Sequence, residues 1–324
     1  MFGELMRRVI TNSLILCAIV LSSLSTHALQ KDPAPGLHSF QLKLRDSERR
    51  YLVHLPRYYD RTRPTPVVIM LHGGGGTGNG AREETGWDLK ADQETFIAVF
   101  PEWTRENPSR PARFVGNPQT WNDGSERFEH EADDVGFINS LIDDLENRFN
   151  ADTMRIYVTG FSNGASMAFR IGIELSHRIA AIAPVAGALW QENVYLANPI
   201  SLLYITGDSD PLNPIDGGMP RMAWSRRAVG GKEKPPVSKH ISTWAKLVGC
   251  SSSTPVVTSE GGIRQTLFNE CGEGIEVIGV IIEGQGHVWP GRAPKLPGWM
   301  VGRATQKLDA TDLIWSFFSR HFKP

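Results

Sequence analysis

A serine inside a Gly-x-Ser-x-Gly pentapeptide is the residue in this chain with the clearest capacity for chemistry. Ser162 is the central residue of Gly-Phe-Ser-Asn-Gly, residues 160–164. Residues 155–159 before it have the apolar pattern of a buried strand, and residues 165–170 after it resemble the start of a helix. A strand that turns sharply into a helix exposes the serine hydroxyl at its apex, and glycines allow the close backbone approach. The pattern predicts a nucleophilic serine.

A serine hydroxyl needs a base to accept its proton and a carboxylate to orient that base. We predict His287, in Gly-Gln-Gly-His, as the base. We predict Asp210, in Gly-Asp-Ser-Asp-Pro, as the carboxylate, with Asp208 and Asp216 as alternatives. The three side chains follow the fifth, seventh and eighth predicted strands. The carboxyl ends of parallel strands are where open sheets place their sites, so we expect the three to meet there.

A glycine-rich run, residues 73–76, follows the predicted strand at 67–71. Attack on a carbonyl builds negative charge on its oxygen, and backbone N–H groups aimed at that oxygen stabilise it. We predict Gly74 and Asn163 as the two donors, with Gly75 as the alternative in the loop. His72 is predicted to be structural.

Other chemistries fit the chain less well. Gly73, Gly75 and Gly78 match Gly-x-Gly-x-x-Gly, but this run follows the third predicted strand instead of the first, which disfavours a dinucleotide site. No P-loop lysine or His-Glu-x-x-His pattern occurs in the sequence, so we predict neither cofactor nor metal. With 34 Lys and Arg against 35 Asp and Glu, there is no basic stripe that would indicate nucleic-acid binding.

Short apolar runs alternate with helical patterns along most of the 324 residues. This alternation predicts an α/β fold: a doubly wound, mostly parallel sheet with helices on both faces. The chain has no repeat and no linker, so we predict a single domain over residues 29–324.

The first residues have the pattern of an export signal. Arg7 and Arg8 precede a short apolar run at 14–24, and Thr-His-Ala precedes the predicted cleavage after Ala28. The run is too short to span a bilayer, so we predict a signal peptide at 1–28 and no stable membrane insertion afterwards. The protein is predicted to be secreted, to the periplasm or the medium.

Two cysteines, Cys250 and Cys271, are left in the exported chain. An even number in an oxidising compartment favours a disulfide, which would close a predicted hairpin; two buried free thiols are the alternative.

Several motifs together resemble one known family. They are Leu-His-Gly-Gly at His72, Gly-Phe-Ser-Asn-Gly at Ser162, Gly-Asp-Ser-Asp-Pro at Asp210 and, most specifically, Gly-Gln-Gly-His-Val-Trp-Pro-Gly at His287. The chain is similar to secreted polyhydroxybutyrate depolymerases, feruloyl esterases and acetylxylan esterases. The resemblance implies an α/β-hydrolase fold, a Ser-His-Asp triad, no cofactor and hydrolysis of carboxylic esters. It also supports Cys250 as a disulfide partner.

Two departures from that family lie near the expected pocket. The segment after Trp121 has no cysteine, and Asn213-Pro214 stands where relatives usually have Val-Pro. We expect small or polymeric ester substrates, either acyl groups on plant-wall sugars or hydroxyalkanoate oligomers. Trp121 and Trp289 are predicted to contact the substrate. An acyltransferase with the same triad and a non-catalytic carbohydrate-binding relative are the alternatives.

Overall fold

The computed structural model describes residues 33–44, 47–103, 119–125, 132–221, 232–251, 254–272 and 274–323. Ten strands in these ranges form one mixed sheet. In chain order the strands are β1 (Gly36–Lys43), β2 (Glu48–Leu55), β3 (Thr65–Leu71), β4 (Ile97–Pro101), β5 (Ala151–Phe161), β6 (Ala181–Val185), β7 (Ser201–Gly207), β8 (Val256–Glu260), β9 (Ile263–Phe268) and β10 (Val277–Ile282).

The order across the sheet is β1-β2-β4-β3-β5-β6-β7-β10-β9-β8. From β4 to β10 the strands pair in parallel, whereas β1 and β2 on one side and β9 and β8 on the other pair antiparallel. The hairpin β8–β9 belongs to this sheet. The strand that precedes His287 is therefore β10 in chain order. Its assignment as the eighth strand is corrected, because the hairpin strands β8 and β9 come before it in the chain and extend the same sheet, with β9 paired to β10.

Helices cover both faces of the sheet, as predicted. They are α1 (Gly78–Thr85), α2 (Trp87–Glu94), α3 (Asp134–Phe149), α4 (Asn163–Glu174), α5 (Val237–Leu247), α6 (Gly298–Val301) and α7 (Ala310–Phe318). Side chains of α3, α4 and α5 pack into one hydrophobic cluster with the sheet, and those of α1, α2 and α7 pack into a second. Parallel strands covered on both faces read as continuous apolar runs, which is why β3 and β4 were recognisable from sequence.

Helix α3 shows how the sequence defines both an element and a contact. Its N-cap is Asp133, whose side chain accepts a hydrogen bond from the Gly136 N–H at 2.8 Å. The next residue, Asp134, is buried and forms an ion pair with Arg49 of β2 at 2.8 Å. Asp133 therefore caps the helix, and Asp134 connects it to β2 of the sheet.

Cys250 and Cys271 form a disulfide, as predicted from their number and the expected compartment. Cys250 follows α5 and Cys271 follows β9, at a sequence separation of 21. The bridge therefore connects a helix on one face to the antiparallel hairpin at the edge of the sheet.

Replacing both cysteines with serine should lower the free energy of unfolding by about 3 kcal/mol, because the bridge restricts the unfolded chain. The expected result is a lower Tm for the double variant and for reduced wild-type protein, and equal Tm values for those two samples. Identical Tm values for oxidised and reduced wild type would contradict a stabilising bridge.

His240 is a buried, neutral histidine on α5. It is 2% exposed, its ring lies 6.1 Å from that of Phe169 and 5.8 Å from that of Tyr204, and Nε2 has no hydrogen-bond partner. Burial, with smaller contributions from Lys234 and Lys239, lowers its pKa to about 3. The unfolded imidazole takes up a proton near its ordinary pKa, so this group's stabilising contribution is lost as pH falls below about 6.5.

The His240→Phe variant should therefore lose less stability on acidification than the wild type. Between pH 7 and about pH 5 the difference should reach about 2 kcal/mol, measured by urea unfolding at each pH. The exposed His177 offers a matched control, since His177→Gln should follow the wild-type curve. Parallel curves for His240→Phe and wild type would refute the buried neutral state.

The chain divides into two units, residues 1–34 and 35–324, and the strands and helices given above belong to the second. The predicted signal peptide lies outside the described residues. Among the helices described, none has the length and apolar character to cross a bilayer.

Candidate active site

Ser162 sits at a tight turn between β5 and α4. Its φ of 57° and ψ of −116° lie outside the favoured regions for a residue with a side chain. A Cβ on Gly160 would overlap the Gly164 carbonyl, and one on Gly164 would overlap the carbonyl oxygens of Leu71 and His72. The two flanking glycines are therefore required by close backbone contacts, and the turn holds the serine in a strained conformation.

Asp210 and His287 form a buried pair. The Asp210 Oδ2 atom lies 2.7 Å from His287 Nδ1, and the two residues are 2% and 7% exposed. The other carboxylate oxygen, Oδ1, accepts backbone N–H groups from Leu212 and Asn213, both at 2.8 Å. Three hydrogen bonds, one on Oδ2 and two on Oδ1, therefore hold the carboxylate in orientation toward the imidazole.

The two alternative carboxylates lie elsewhere. Asp208 accepts hydrogen bonds from the Gly284 N–H at 2.7 Å and the Ser209 hydroxyl at 2.9 Å. It therefore joins the loop after β7 to the loop after β10. Asp216 is exposed. The structure brings Asp210, and neither of these two, to His287.

His287 lies beside the serine turn. The ring of Phe161, the residue before Ser162, has its centroid 4.8 Å from that of the imidazole. Within the described residues no hydrogen bond joins the Ser162 hydroxyl to the imidazole, and such bonds are often long before substrate binds. The loop that carries His287 is braced by Gln285, which donates to the Val288 carbonyl at 2.9 Å.

Gly74 and Asn163, whose backbone N–H groups are the predicted oxyanion donors, lie next to each other beside the serine turn. In the glycine loop, the Gly75 N–H donates to the Gln119 carbonyl at 2.6 Å, so it is occupied. Neither Gly74 N–H nor Asn163 N–H has a backbone acceptor among the described residues. A Cβ on Gly74 would lie 3.7 Å from the Asn163 Cβ. The free donors are therefore adjacent, and Asn163 is also the first residue of α4, where N–H groups lack helical partners.

His72 shapes the glycine loop from within. Its Nδ1 lies 2.8 Å from the Gly73 carbonyl oxygen, and Nε2 accepts the Trp103 N–H at 3.4 Å. Burial lowers its pKa to about 4, so the imidazole is neutral near pH 7. Both ring nitrogens are used within the protein, in agreement with a structural role.

The Asn163 side chain is clamped by three hydrogen bonds. Its Oδ1 accepts the Trp121 N–H at 2.7 Å, and its Nδ2 donates to the Trp121 carbonyl at 3.1 Å and to Asp123 Oδ2 at 2.8 Å. The Trp121 indole N–H in turn donates to the His72 carbonyl at 3.0 Å. These contacts connect the start of α4 to Trp121, and Trp121 to the first residue after β3.

Residues 59–219 match the Phospholipase/Carboxylesterase family. Among curated proteins, the chain is 28% identical over 269 residues to "Putative esterase NocK" of Nocardia uniformis subsp. tsuyamanensis, which covers 78% of this chain and 73% of that protein. It is 27% identical over 260 residues to "Probable feruloyl esterase C" of Aspergillus oryzae, covering 77% of this chain and 90% of that protein.

Solved structures share the fold. An acetyl xylan esterase from Aspergillus awamori superimposes with a TM-score of 0.58 at 14% identity, over 87% of this chain and 99% of that one. An S-formylglutathione hydrolase from Agrobacterium tumefaciens gives a TM-score of 0.53 at 13% identity, over 89% and 97% of the two chains. The chain is a carboxylic ester hydrolase of the α/β-hydrolase superfamily.

Both tryptophans predicted to contact substrate are fully buried in this hydrolase. Trp121 and Trp289 have no exposed surface. The Trp289 indole N–H donates to the Thr311 hydroxyl at 3.0 Å, and its ring packs edge-on against Phe161. Both indole N–H groups therefore bond within the protein, to the His72 carbonyl for Trp121 and to Thr311 for Trp289, and substrate contact by either ring stays a prediction.

Sequence reasoning missed two parts of the hydrolase site. Asp134 accepts the Trp103 indole N–H at 3.1 Å and the Asn122 N–H at 2.8 Å, so the buried ion pair with Arg49 also positions the segment next to the glycine loop. Glu84 of α1 is a half-buried carboxyl that interacts electrostatically with His287. Burial raises the pKa of its carboxyl, while the charges of Lys295 and His287 act in the opposite direction. A cluster of acidic residues around Trp121 was the one available signal for the first part.

Groups of three or more metal-binding side chains do not occur in the described part of the hydrolase.

The Asn163→Ala variant tests the clamp. Removing its three side-chain hydrogen bonds frees the start of α4, so the N–H donor loses its fixed direction. We expect kcat for p-nitrophenyl acetate to fall on the order of 10-fold with little change in KM, since misplaced groups at a reacting centre cost rate steeply. Steady-state kinetics measure both values. Asn147, whose amide bonds only within α3, provides the control Asn147→Ala, which should match wild type. Unchanged kcat in a folded Asn163→Ala protein would argue against the clamp.

Proposed function

We propose that this hydrolase is an exported serine esterase that uses Ser162, His287 and Asp210 as its triad. The observation that carries the proposal is the buried Asp210–His287 pair, at 2.7 Å, next to a serine held at φ 57°. The adjacent free N–H groups of Gly74 and Asn163 add the oxyanion donors that acyl transfer requires.

The hydrogen bond to Asp210 assigns the proton of His287 to Nδ1, because a carboxylate accepts and does not donate. Nε2 is then the nitrogen that accepts the Ser162 proton as the hydroxyl attacks the ester carbonyl. The imidazolium returns this proton to the leaving alcohol. Water, activated by the same nitrogen, then hydrolyses the acyl-enzyme and restores the serine.

Negative charge forms on the carbonyl oxygen during both acyl-transfer steps. The N–H groups of Gly74 and Asn163, which we propose as donors to this oxygen, have no backbone acceptor within the described residues. Because no internal hydrogen bond must break, the donors are preorganised for the oxyanion. The loss of one such donor typically costs about 2.7–4 kcal/mol of transition-state stabilisation.

We propose as substrates small or polymeric carboxylic esters: feruloyl or acetyl groups on plant-wall sugars, or hydroxyalkanoate oligomers. The names of the feruloyl esterase relative and of the structurally similar acetyl xylan esterase support the first group. The chain is proposed to act as a single domain, residues 29–324, after removal of residues 1–28. The disulfide supports an oxidising destination, in the periplasm or outside the cell.

The Ser162→Ala variant should lose at least about 10⁴-fold in kcat/KM for p-nitrophenyl acetate while keeping the wild-type Tm, because only the nucleophile is removed. Ser166, in the first turns of α4, is buried and bonds only to backbone groups. The variant Ser166→Ala therefore serves as the matched control and should stay active.

Turnover by Ser162→Ala at the wild-type rate would refute the triad. Comparison of kcat/KM for methyl ferulate, acetylated xylan and hydroxybutyrate oligomers then assigns the substrate group. Failure to hydrolyse any of the three by an enzyme active on p-nitrophenyl acetate would reject the proposed substrates but leave the triad intact.

A further inference from the structure

Asn213 is a buried amide in the loop that carries Asp210. It is 1% exposed, and all of its side-chain hydrogen-bonding atoms have partners. Its Nδ2 donates to the Tyr204 hydroxyl at 3.0 Å and to the Thr206 hydroxyl at 3.2 Å. Its Oδ1 accepts from Lys234 Nζ at 3.1 Å. An amide held on both ends in this way is fixed in position and orientation.

The same residue contacts the proposed triad acid directly. The Asn213 backbone N–H donates to Asp210 Oδ1 at 2.8 Å, on the opposite side of the carboxylate from His287. The side chain and the backbone of one residue therefore connect the strand β7, through Tyr204 and Thr206, to the carboxylate itself. The position of the carboxylate depends on how firmly this residue is anchored.

Tyr204 carries the connection on to the serine turn. Its hydroxyl donates to the Gly187 carbonyl at 2.7 Å. A Cβ on Gly187 would lie 2.7 Å from the Ser162 carbonyl oxygen and 2.6 Å from the Ala165 Cβ, so the segment after β6 lies directly against the serine turn. Asn213 thus links the loop of the acid to the support of the nucleophile through a single hydroxyl group.

Lys234 supplies a cation to this network from a distant part of the chain. It is 8% exposed, and its backbone pairs in both directions with Gly218, at 2.8 and 3.0 Å. This bridge delivers the ammonium group to the Asn213 carbonyl oxygen. A buried cation is costly to desolvate and persists only where groups compensate it, so its placement beside the loop of the acid needs a reason.

We propose that Asn213 and Lys234 form a positioning pair that holds the Asp210 carboxylate against His287. The proposal rests on the proposed function, since it assumes that Asp210 is the triad acid. Neither residue touches substrate. Lys234 orients the Asn213 amide by charge-assisted hydrogen bonding, and Asn213 anchors the turn whose N–H groups direct the carboxylate. Relatives usually have Val-Pro where this chain has Asn213-Pro214. The pairing of Asn213 with Lys234 explains this difference.

Two variants test the pair. Asn213→Ala removes the amide, and Lys234→Met removes the ammonium group but keeps an unbranched apolar stem of similar length. We expect each to reduce kcat for p-nitrophenyl acetate about 10- to 100-fold, with KM changed less than about 2-fold, because a misdirected base affects the chemical step and not binding. The double variant should lose no more kcat than the more impaired of the two single variants, since both changes break one network.

A spectroscopic measurement separates positioning from general destabilisation. The His287 Nδ1–H proton that bonds to Asp210 should give a low-field proton NMR resonance in wild type. This resonance should shift or broaden in both variants. Ser176→Ala is the matched control: Ser176 is also buried and accepts backbone N–H groups, from Ala197 at 2.9 Å and Asn198 at 3.3 Å, but it lies beyond the end of α4. It should keep both the resonance and kcat.

Wild-type kcat and an unchanged resonance in folded Asn213→Ala and Lys234→Met proteins would overturn the proposal, as would an equal loss in Ser176→Ala. If Asn213→Ala does not fold, Lys234→Met decides by the same readouts, because Lys234 pairs with Gly218 through its backbone alone. The proposed function fails separately, through an active Ser162→Ala enzyme. An inactive Ser162→Ala protein beside fully active pair variants would reject only the positioning pair.

Discussion

The close contact between the first turn of α4 and the end of β3 is the constraint on which the site depends. Gly164 lies against the carbonyl oxygens of Leu71 and His72, where any larger residue would overlap them. This contact forces the sharp turn that strains Ser162. It also places the first N–H of α4 beside the glycine loop that continues β3. A single packing requirement therefore sets both the serine turn and the position of the N–H groups that we propose as oxyanion donors.

Buried polar side chains hold the surroundings of this contact in one arrangement. The Arg49–Asp134 ion pair organises the segment that includes Trp121, and Trp121 in turn bonds to Asn163 and to the His72 carbonyl. Buried networks of this kind are stable only when nearly every donor and acceptor has a partner, so they permit few alternative packings. The cost of desolvating these groups is offset by a rigid site, which the preorganised stabilisation of charge requires.

The other half of the site comes from contact between two loops. Gly207 ends β7 where a Cβ would overlap the Gln285 carbonyl, and the Ser209 N–H donates to that same carbonyl at 3.1 Å. The loop of Asp210 and the loop of His287 are therefore packed together before any substrate arrives. Parallel pairing of β7 with β10 brings both loops to the same edge of the sheet, although Asp210 and His287 have a sequence separation of 77.

Much of this arrangement could be read from local patterns. Continuous apolar runs predicted β3 and β4 because strands buried on both faces have no polar side to show. The pentapeptide at Ser162 and the glycine-flanked His287 were recognisable because backbone geometry at sharp turns restricts the residue type. Helix α1 was harder to recognise, since its Gly-Asn-Gly start has little apolar periodicity and its signal is the single cap at Thr77.

The sequence by itself determined the α/β fold class, the two cysteines available for a bridge, and the residues proposed as nucleophile, base and acid, because these follow from short-range periodicity and composition. Only the tertiary structure decided which carboxylate faces His287, that Gly74 and not Gly75 has a free N–H, and that Trp121 and Trp289 are buried. Those choices depend on contacts between segments far apart in the chain. A hydrogen-bond partner or a covering side chain from another loop leaves no mark on the local pattern.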